Sequence, residues 1–530
     1  MTDVESLCTE EVLDIPTLTA RAAARWGTRT ALTFDETDER LSFEAVEFES
    51  NRIANALITQ GVRPGDRIAL MLRNRAAFPL NWLGIVKAGA VMVPLNVFYK
   101  TTDAGYLLEH AGVSRVICEP DLAALIAESA PYLSKQDAVM TVNEQGAFDD
   151  SRPDTPTRPP AVTVTPESLA NVQYTSGTTG RPKGCMLSHS YFLRFAWRVA
   201  ISHEGLSDTD VMLTAQPFYY VDPQWNTITS LLVGAELVVL DRFHPSTFWD
   251  RVRHHRVTWF YCLGVMPKLL LKTPAQDNDR DHCVKRITCS GIPTLDHCEI
   301  EQRWGAPWYE TFGMTETGLD IAVTIEEHDE LIGSGCIGRP FKTREARIVD
   351  SNDRPAPRGE PGELVLRGPG IMDGYYRDEK ATANTFRNGW MHTGDIARMD
   401  NDGLIFYIGR LKDMIRRSGE NIAAVEVEEV IMQHKAIRLA ACVAVPDDLR
   451  GEEVKAYIVL QPGHTSESVS PQALSDFCRE RIAYFKVPRY WTFVADMPRT
   501  PSEKIIKSEL VSDREDLRRG AYDCVEHCWY

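Results

Sequence analysis

The stretch NVQYTSGTTGRPKGCMLSH, residues 171–189, decides how the rest of the chain is interpreted. Glycines and hydroxyl residues crowd its middle, together with Lys183. A glycine held in a fixed loop loses more backbone entropy than any other residue, so this segment indicates that something approaches the backbone closely. Backbone N–H groups, hydroxyl donors and one lysine suit a phosphate group. From composition alone, a flexible turn between a strand and a helix remains the other interpretation.

Two known nucleotide-binding patterns do not fit. The G-x-x-x-x-G-K-[ST] pattern needs a second glycine five residues after the first, but two glycines of this loop are followed at that distance by Pro182 and Cys185. A G-x-G-x-x-G sequence occurs at 333–338, yet the segment before it is no core strand, and Pro340 stands where a helix would begin. We interpret this second sequence as a turn, which excludes a dinucleotide-binding fold.

The composition is that of an ordinary globular protein with an acidic surface. Of the 530 residues, 43% are hydrophobic and 25% are charged, and the formal net charge is −17. This balance argues against nucleic acid or an anionic membrane as the main partner, whereas a local loop can still bind a small anion. The start of the sequence lacks the features of a signal peptide, and the most apolar stretch, 228–240, is too short for a membrane span. We therefore predict a cytoplasmic protein without stable membrane insertion.

The cysteines indicate neither a disulfide framework nor a metal site. Twelve cysteines in a chain of this length are too sparse for a disulfide-stapled scaffold. The histidines and cysteines between 282 and 298 fit no common zinc spacing, and the C-x-x-x-C sequence at 524–528 carries no further signal. Most free cysteines are small buried hydrophobic residues, and we expect the same of these.

Helical and strand patterns alternate along most of the chain. Residues 41–72 and 79–96 each show apolar positions at helical spacing, followed by a strand-like run. This alternation predicts α/β layers around a largely parallel sheet. The proline-rich segment 151–167 is expected to be an exposed connector. Short strands between turns predict a small β-rich unit from about residue 346, and another compact unit with its own strands and helices follows residue 409.

The loop sequence T-S-G-T-T-G-x-P-K-G resembles the signature of the adenylate-forming superfamily, which includes acyl-CoA synthetases, firefly luciferases and the adenylation domains of peptide synthetases. Further segments resemble other motifs of that superfamily and occur in the same order. Together they cover residues 174–510, nearly the whole chain, which makes a chance match negligible. These segments are YETFGMTETG (309–318), GELVLRGPGIMDGYY (362–376), GWMHTGDIARMDNDG (389–403), YIGRLKDMIRRSGENI (407–422) and PRTPSEKIIKSEL (498–510).

The resemblance implies a two-part architecture within the α/β class. A large N-terminal domain, residues 1–409, would comprise two α/β sheet subdomains and a small β-barrel-like subdomain. A hinge at 410–412 would connect it to a small, mobile α+β C-terminal domain, residues 413–515, followed by a tail at 516–530. In relatives the C-terminal domain turns between two half-reactions, and few residues need to absorb such a turn.

The resemblance also implies a two-step reaction. A carboxylate attacks the α-phosphorus of ATP, which gives an acyl adenylate and pyrophosphate, and a second nucleophile, usually a thiol, then displaces AMP. Thr315 would contact the α-phosphate, and the carboxylate of Glu316 would bind Mg²⁺, a cation that prefers oxygen ligands. The residues implied to bind the β- and γ-phosphates are Thr175, Ser176, Gly177, Thr178, Thr179, Gly180 and Lys183.

Other motif residues would bind the nucleoside or serve the second step. Asp395 would accept both ribose hydroxyls, because a carboxylate can accept two donors at once, and Arg410 would donate to the same sugar. Ile408 belongs to the same nucleotide-binding motif. Lys412 lies at the implied hinge, and the loop around Gly419 would serve thiol transfer. The implied residues of the adenine slot are Ser290, Gly291, Ile292, Pro293, Tyr309, Glu310, Thr311, Phe312 and Gly313.

Lys504 is the implied catalytic lysine, alongside Thr315 and Glu316. It would bridge the attacking carboxylate and the α-phosphate, because a cation between two anions lowers the barrier electrostatically. The superfamily usually has glycine before this lysine, whereas Glu503 stands here. That departure leaves Lys507 as an alternative.

The segment QPFYYVDPQWNTITSLLVGAEL, residues 216–237, resembles the helix that lines the acyl pocket. Val221 falls where amino-acid-activating relatives carry an aspartate, which argues against an α-amino acid. The aromatic rings either suit an aryl or short planar acid or belong to the core. Asp222 either caps the helix or faces a cationic or amino group, and the segment loosely resembles crotonobetaine/carnitine ligases. The implied pocket residues are Tyr219, Tyr220, Val221, Asp222, Trp225, Gly313 and Met314.

We therefore predict an AMP-forming acid–CoA ligase. It would activate a small aromatic or short polar carboxylic acid with ATP and Mg²⁺, and transfer the acyl group to the thiol of coenzyme A. One alternative is an adenylate-forming enzyme with another acceptor or activated group: a carrier-protein thiol, an amine, or nitrite used to diazotise an arylamine. Another is a binding protein that has lost turnover. We expect a monomer or homodimer whose partners are the acid, ATP and CoA, and not nucleic acid.

Overall fold

The computed structural model describes residues 14–134, 138–143, 155–175, 182–202, 205–418, 420–500, 505–511 and 516–530. It confirms the α/β class, with a large N-terminal and a small C-terminal domain that both contain sheets. The α-helices are α1 (Ile15–Trp26), α2 (Phe43–Thr59), α3 (Ala77–Lys87), α4 (Thr101–Ala111), α5 (Ala123–Ser129), α6 (Pro131–Ser134), α7 (His189–Ile201), α8 (Val221–Val233), α9 (Phe248–His254), α10 (Met266–Leu271), α11 (His297–Trp304), α12 (Ile325–Leu331), α13 (Glu379–Thr385), α14 (Ala424–Met432), α15 (Pro471–Arg479) and α16 (Lys507–Val511). Short 3-10 helices cover Pro120–Leu122, Leu411–Asp413 and Tyr484–Lys486.

The strands fall into three sheets, which are described in turn below. Their bounds are β1 (Thr30–Phe34), β2 (Glu39–Ser42), β3 (Arg67–Met71), β4 (Val91–Pro94), β5 (Arg115–Cys118), β6 (Val139–Thr141), β7 (Leu169–Thr175), β8 (Lys183–Ser188), β9 (Val211–Thr214), β10 (Glu236–Val239), β11 (Trp259–Leu263), β12 (Arg286–Ser290), β13 (Trp308–Met314), β14 (Gly318–Ala322), β15 (Cys336–Pro340), β16 (Glu345–Val349), β17 (Pro361–Arg367), β18 (Phe386–Arg387), β19 (Trp390–Met399), β20 (Ile405–Arg410), β21 (Met414–Arg417), β22 (Glu420–Ala423), β23 (Ile437–Asp447), β24 (Gly451–Leu460), β25 (Tyr490–Phe493), β26 (Tyr522–Asp523) and β27 (Cys528–Trp529).

The first sheet is mostly parallel and ends in a hairpin that carries the glycine-rich stretch. Its strand order is β6-β5-β3-β4-β7-β8, and every pair except β7–β8 is parallel. Thr175 at the end of β7 pairs with Lys183 at the start of β8. The loop between them, 176–181, lies outside the described residues. It therefore joins two antiparallel strands rather than a strand and a helix, and α7 begins only after β8.

The second sheet joins the other α/β subdomain to the β-rich unit. Its path runs β16-β17-β19-β20-β15-β14-β13-β12-β11-β9-β10-β1-β2. From β13 to β1 the strands pair in parallel, as the alternating pattern predicts, whereas from β13 to β16 they pair antiparallel. Because β13 belongs to both parts, the motif at 309–318 lies where the two parts meet.

The largest hydrophobic core connects these two sheets. Helices α1, α2, α3, α7 and α8 form one continuous buried cluster with strands of both sheets. α3 is buried along its whole length, and α8 along nearly all of it. Within the described ranges, no helix combines the length and the apolar character that crossing a membrane requires. Three of the predicted acyl-pocket residues, Val221, Asp222 and Trp225, lie at the N-terminal end of α8.

The C-terminal domain has a mixed sheet of its own. Its strands run β22-β21-β24-β25-β26-β27, with β23 beside β24, and α14 packs against β23. The stretch 516–530, expected as a tail, contributes β26 and β27 to this sheet. An ion pair holds it there, in which Arg489 Nη2 lies 2.8 Å from Asp523 Oδ2. These last residues are therefore structurally continuous with the small domain.

Polar contacts join the small domain to the large one. Lys272 Nζ donates hydrogen bonds to the carbonyl oxygens of Ile437 and Arg438, at 2.8 Å each. The Glu429 carboxylate accepts the backbone N–H of Thr294. Burial raises the pKa of Glu429 to about 7 and lowers the pKa of Lys272 to about 8. The small domain thus rests on the chain directly beyond the predicted adenine slot, while the hinge at 410–412 stays a prediction.

The proline-rich connector is held against α2. No residue between 155 and 167 is buried, as an exposed connector requires. Asn55 Nδ2 nevertheless donates to the carbonyl oxygens of Pro156 and Arg158, and Asn51 Nδ2 donates to that of Thr157, all at 2.9 Å. Side-chain amides of α2 therefore fix the backbone of a segment that has no regular structure.

Asn51 also belongs to a buried ionic group between α2 and α3. Lys87 Nζ lies 2.5 Å from Glu47 Oε2 and 2.8 Å from Asn51 Oδ1, and both charged side chains are almost fully buried. Burial lowers the pKa of Lys87 to about 8, although the Glu47 carboxylate acts against that shift. Removing one partner of such a pair leaves an uncompensated buried charge.

We expect Lys87→Met to destabilise the N-terminal domain by about 3 kcal/mol, because Glu47 would lose its cation. Urea unfolding followed by tryptophan fluorescence measures the change. The double variant Lys87→Met/Glu47→Leu should recover a large part of the loss, since it removes both charges. Equal urea midpoints for the wild type and the single variant would contradict this prediction.

Candidate active site

Backbone hydrogen bonds place the start of β8, which carries the predicted phosphate-binding Lys183, beside the distant motif at 362–376. The N–H of Met186 on β8 donates to Gly374 O at 2.9 Å, and the N–H of Tyr376 donates to Gly184 O at 2.7 Å. Tyr375 is thereby held beside the start of β8, and Lys183 Nζ lies 5.0 Å from the centre of its ring. Of the predicted phosphate-binding residues, Thr175 and Lys183 are described and pair with each other, whereas 176–180 lie outside the described residues.

Glu316 lies on the other side of Tyr375. The Tyr375 hydroxyl donates to Glu316 Oε1 at 3.1 Å, and the N–H of Met372 donates to Glu316 O at 2.8 Å. The hydroxyl of Tyr191 on α7 donates to Thr315 O at 2.9 Å. Sequence reasoning did not single out Tyr375 or Tyr191 as site residues, although Tyr375 is the second-last residue of the recognised segment 362–376. Together they hold the predicted α-phosphate and magnesium residues beside Lys183.

A buried ionic group supports the turn that carries Thr315 and Glu316. Arg344 Nε lies 2.7 Å from Asp320 Oδ1, and neither side chain is exposed. Thr317 Oγ1 donates to the same carboxylate, and Arg344 Nη2 donates to Thr317 O at 2.9 Å. These contacts fix the turn between β13 and β14, which carries Thr315 and Glu316. Nothing in the sequence pattern pointed to this pair, because its two members belong to different elements.

The predicted ribose-binding residues face each other across two strands. Asp395 on β19 pairs with Arg410 on β20, and 2.9 Å separates Asp395 Oδ1 from Arg410 Nε. The Tyr407 hydroxyl donates to the same oxygen at 3.4 Å. Burial opposes the charge on Arg410, but the carboxylates of Asp395 and Glu316 help to raise its pKa.

The two segments predicted to form the adenine slot are adjacent, because β12 pairs with β13. Both carboxylate oxygens of Glu310 accept backbone N–H groups, those of Gly291 and Ile292, at 2.7 Å each. Burial raises the pKa of Glu310 to about 8, against the effect of these hydrogen bonds. Phe312 lies 6.3 Å from Tyr407 between ring centres, which connects the slot to the ribose side. Ser290, Pro293 and Thr311 complete the set, with Ser290 Oγ 3.2 Å from Thr311 Oγ1.

Two histidines and the Glu301 carboxylate lie beside Tyr309 of the predicted slot. The rings of Tyr309 and His328 are 4.5 Å apart, and His328 Nε2 lies 2.9 Å from Glu301 Oε1. His297 contacts the same carboxylate. Burial alone would raise the pKa of Glu301, but hydrogen bonds from both histidines and from Trp308 N–H lower it to about 2. In the described part of the chain, no three His, Cys, Asp or Glu side chains are arranged to hold a metal ion.

A buried amide network connects the acyl-pocket helix to the strand before the phosphate loop. Trp82 Nε1 donates to Asn171 Oδ1 at 2.9 Å, and Asn171 Nδ2 donates to Gln224 Oε1 at 2.7 Å. Gln224 Nε2 donates to Gln173 Oε1 at 3.2 Å, and Gln173 Nε2 donates to Tyr219 O at 2.8 Å. A satisfied network of this kind makes the elements it joins rigid. It fixes α8 relative to β7, a link that sequence reasoning missed.

Aromatic rings gather around the first turn of α8. Trp225 stacks on Phe195 at 4.8 Å and meets Tyr261 edge-on at 5.3 Å between ring centres. Tyr219 and Tyr220 lie 5.0 Å apart, and only Tyr220 keeps appreciable exposure. Trp225 is almost fully buried, so it forms part of the hydrophobic core as well as of this aromatic group.

Asp222 is more exposed to solvent than its neighbours on α8. Val221 and Pro223 are buried, whereas Asp222 lies deep among protein atoms yet keeps some solvent-exposed surface. Burial raises the pKa of Asp222 to about 6, and the indole of Trp225 partly offsets that shift.

Some of the remaining predicted site residues lie within the described ranges, and others do not. Gly313 must be glycine, because a Cβ there would clash with the carbonyl oxygen of Gly318. Met314 and Ile408 are half-buried on β13 and β20. Lys412 lies on the 3-10 turn after β20, where burial lowers its pKa. Lys504 and Gly419 lie outside the described residues.

The alternative catalytic residue, Lys507, is engaged elsewhere. Its Nζ lies 2.7 Å from Glu428 Oε1 on α14. Burial opposes its charge, but the Glu428 carboxylate raises the pKa of Lys507 above its ordinary value. A lysine whose charge is already balanced within the small domain is poorly suited to neutralise a substrate.

Comparison with known proteins finds relatives that match over nearly the whole chain. A crotonobetaine/carnitine–CoA ligase from Salmonella agona (strain SL483) is 33% identical over 508 residues, covering 92% of this chain and 97% of that protein. The crystal structure of ATP-bound MatB from Rhodopseudomonas palustris matches with a TM-score of 0.84 and 26% identity, covering 94% of this chain and 99% of that one. The anthranilate CoA ligase AuaEII in complex with anthranoyl-AMP matches with a TM-score of 0.86 and 25% identity, covering 96% and 98%.

The family models cover both domains. Residues 19–376 match the model described as AMP-binding enzyme, and residues 426–504 match the AMP-binding enzyme C-terminal domain. The first match includes the predicted phosphate loop, the predicted adenine slot and Glu316, and the second ends at Lys504. The resemblance to the adenylate-forming superfamily is thereby confirmed, and the chain belongs to the AMP-binding enzyme family.

Proposed function

We propose that this chain is an AMP-forming acid–CoA ligase, which activates a small carboxylic acid with ATP and passes the acyl group to the thiol of coenzyme A. Relatives that match over nearly their whole length support the reaction. The Salmonella agona protein is named a crotonobetaine/carnitine–CoA ligase, and AuaEII is named an anthranilate CoA ligase. Both names describe small acids joined to CoA, the reaction class proposed here.

The observation that carries the proposal is a set of side chains from separate motifs that contact one another in two groups. Lys183 Nζ lies 5.0 Å from the centre of the Tyr375 ring, and Tyr375 donates to Glu316. Arg410 pairs with Asp395, and the Glu316 carboxylate helps to raise the pKa of Arg410. The two groups together offer both cations and carboxylates. That combination suits a nucleotide, whose phosphates need cations and whose sugar hydroxyls need acceptors.

In the activation step, these side chains would orient ATP and balance charge. Asp395 would accept the ribose hydroxyls, and Lys183 would stabilise the departing pyrophosphate. Lys504 would lie between the acid and the α-phosphate, where its charge lowers the repulsion between them. A carboxylate oxygen bonds to the α-phosphorus while the bond from that phosphorus to the pyrophosphate oxygen breaks. In the second step the CoA thiol gives up its proton to solvent and its sulfur bonds to the acyl carbon, while the bond from that carbon to the phosphate oxygen breaks and AMP leaves.

Glu316 has the chemistry to hold Mg²⁺. Its carboxylate offers oxygen ligands, and one of its oxygens is fixed by the hydrogen bond from Tyr375, the residue whose ring also contacts Lys183. Mg²⁺ prefers one or two carboxylates together with substrate phosphates. We therefore propose that Glu316 binds Mg²⁺ jointly with ATP, and bound Mg²⁺ would supply positive charge to the phosphates.

The test is pyrophosphate release across a panel of short aliphatic and aryl acids, measured with and without CoA. We expect at least one acid to release pyrophosphate and to give a thioester only when CoA is present. A requirement for nitrite together with an arylamine would instead favour diazotisation. ATP binding without turnover on the whole panel would favour a binding protein.

A further inference from the structure

We infer that Glu363 is a positioning residue for the nucleotide: its carboxylate holds the backbone at Gly394 and thereby sets where the carboxylate of Asp395 lies. Glu363 is on β17, within the recognised segment 362–376, and the sequence gave it no role. The inference rests on the proposed function, because it takes Asp395 to be the acceptor for the ribose hydroxyls. The contacts between β17 and β19 carry it.

The residues up to Asp395 form a bulge in the sheet. Residues 363–365 of β17 take up the same length of the antiparallel ladder as residues 392–396 of β19. The stretch 393–395 therefore stands opposite Leu364 alone. A bulge bends its strand and re-aims the side chains that it carries. Because this bulge ends at Asp395, its shape sets the direction of that side chain.

Side chains hold the backbone of the bulge. Gly394 N–H donates to Glu363 Oε1 at 3.0 Å, and Asp395 N–H donates to Thr393 Oγ1 at 3.0 Å. Thr393 Oγ1 in turn donates to Leu364 O at 2.7 Å. A bulge disrupts the regular ladder, and buried backbone donors need partners. Glu363 supplies such a partner at the residue directly before Asp395.

Gly394 depends on this hydrogen bond because side-chain packing offers it no restraint. Its φ is +71°, in the left-handed region that glycine enters most readily. A Cβ at this position would meet no atom within 4 Å. Without the Glu363 carboxylate, the bulge would be free to take up other conformations, and Asp395 would lose its fixed direction.

The Glu363 carboxylate is itself held through its other oxygen. His392 Nδ1 lies 2.9 Å from Glu363 Oε2, and Arg387 Nη2 lies 3.4 Å from it. The side chains of Glu363 and His392 are only 16% and 5% exposed, so water competes little for these contacts. A supporting side chain that is fixed in this way can fix the residue that binds the ligand.

Arg410 supports the same bulge from the other neighbouring strand, β20. Its Nε lies 2.9 Å from Asp395 Oδ1, and its Nη1 donates to Thr393 O at 3.2 Å. Glu363 thus holds the bulge from β17, and Arg410 holds it from β20. The Asp395 carboxylate is correctly placed for two ribose hydroxyls only while both supports are present.

The experiment measures the binding of ATP and of 2′,3′-dideoxy-ATP by isothermal titration calorimetry with Mg²⁺ present, so it does not depend on which acid is activated. We expect the wild-type chain to bind ATP at least tenfold more tightly than the dideoxy nucleotide. Glu363→Met should weaken ATP binding about tenfold and dideoxy-ATP binding less than twofold. Glu363→Gln keeps an oxygen that accepts the Gly394 N–H, so it should bind both nucleotides within threefold of the wild type.

Glu345→Met is the matched control, because Glu345 is an exposed glutamate of the same β-rich unit, 2.6 Å from Arg367. It should leave both dissociation constants unchanged, and thermal unfolding shows whether each variant is folded. A double variant separates positioning from a structural role. If Glu363 acts through Asp395, Glu363→Met should change ATP binding by less than twofold in the Asp395→Ala background.

Three results would overturn the inference: equal weakening of both nucleotides in Glu363→Met, a loss in Glu363→Gln as large as that in Glu363→Met, or additive losses in the double variant. A wild type that binds neither nucleotide, or binds both equally, would remove Asp395 from the ribose and with it the role of Glu363. The proposed ligase function fails separately, when ATP binds with the expected preference but no acid on the panel releases pyrophosphate.

Discussion

Lys504→Ala is expected to lower the rate of acid activation at least a hundredfold, while transfer from a supplied acyl adenylate to CoA stays within a few-fold of the wild-type rate. The reason is electrostatic. Activation brings a carboxylate against a phosphate, and a lysine between them removes much of the repulsion. Transfer brings a thiol to an uncharged acyl carbon, so the same cation has little to stabilise. The two half-reactions are measured separately, as pyrophosphate release and as thioester formation.

Lys507→Ala is the matched comparison, because it removes a lysine three positions further along the same segment. Lys507 pairs with Glu428 at 2.7 Å, so its loss should weaken the small domain and affect both half-reactions to a similar, small extent. A loss of activation alone in Lys507→Ala, with Lys504→Ala active, would reverse the assignment. An equal loss of both half-reactions in Lys504→Ala would show that this lysine does not act on the first step.

Periodicity predicted the layers of the fold well. The helix-then-strand pattern in residues 79–96 corresponds to α3 and β4, and that in 41–72 corresponds to α2 and β3. These elements pack into the hydrophobic cores of the domain, so their hydrophobic residues record a buried environment directly. The short strands β26 and β27 escaped notice because two residues cannot show alternation.

The site was only partly predictable, for a different reason. Motif resemblance pointed to Glu316, Asp395 and Arg410, and the last two do pair across β19 and β20. It could not show that Tyr375 lies between Lys183 and Glu316, since that contact depends on pairing between β8 and a segment far along the chain.

Buried polar residues were the hardest to interpret from sequence. Asn171, Gln173 and Gln224 look like surface residues in a linear pattern, yet they form the amide network that fixes α8. Only the folded structure shows that each amide has its partner. Asp222 poses the same difficulty, because the sequence leaves open whether it caps α8 or faces the substrate.

Asp395→Ala is expected to lower kcat/KM for ATP by about a hundredfold or more. Asp395 is almost fully buried, and its carboxylate is held by Arg410 at 2.9 Å and by the Tyr407 hydroxyl. Removing it takes away the acceptor for the ribose hydroxyls and leaves Arg410 as a poorly balanced charge. Pyrophosphate release at varied ATP measures the effect. Asp402→Ala, at the exposed turn after β19, should leave kcat/KM unchanged.

A purely structural role for Asp395 makes a different prediction, and the nucleotide can separate the two. If Asp395 accepts the ribose hydroxyls, the wild-type chain should use 2′,3′-dideoxy-ATP far less well than ATP. Asp395→Ala should then use the two nucleotides at nearly equal rates, since the interaction that distinguishes them is gone. If the carboxylate only holds β19 against β20, both rates fall together and the preference for ATP persists. Persistence of that preference would remove Asp395 from the nucleotide site.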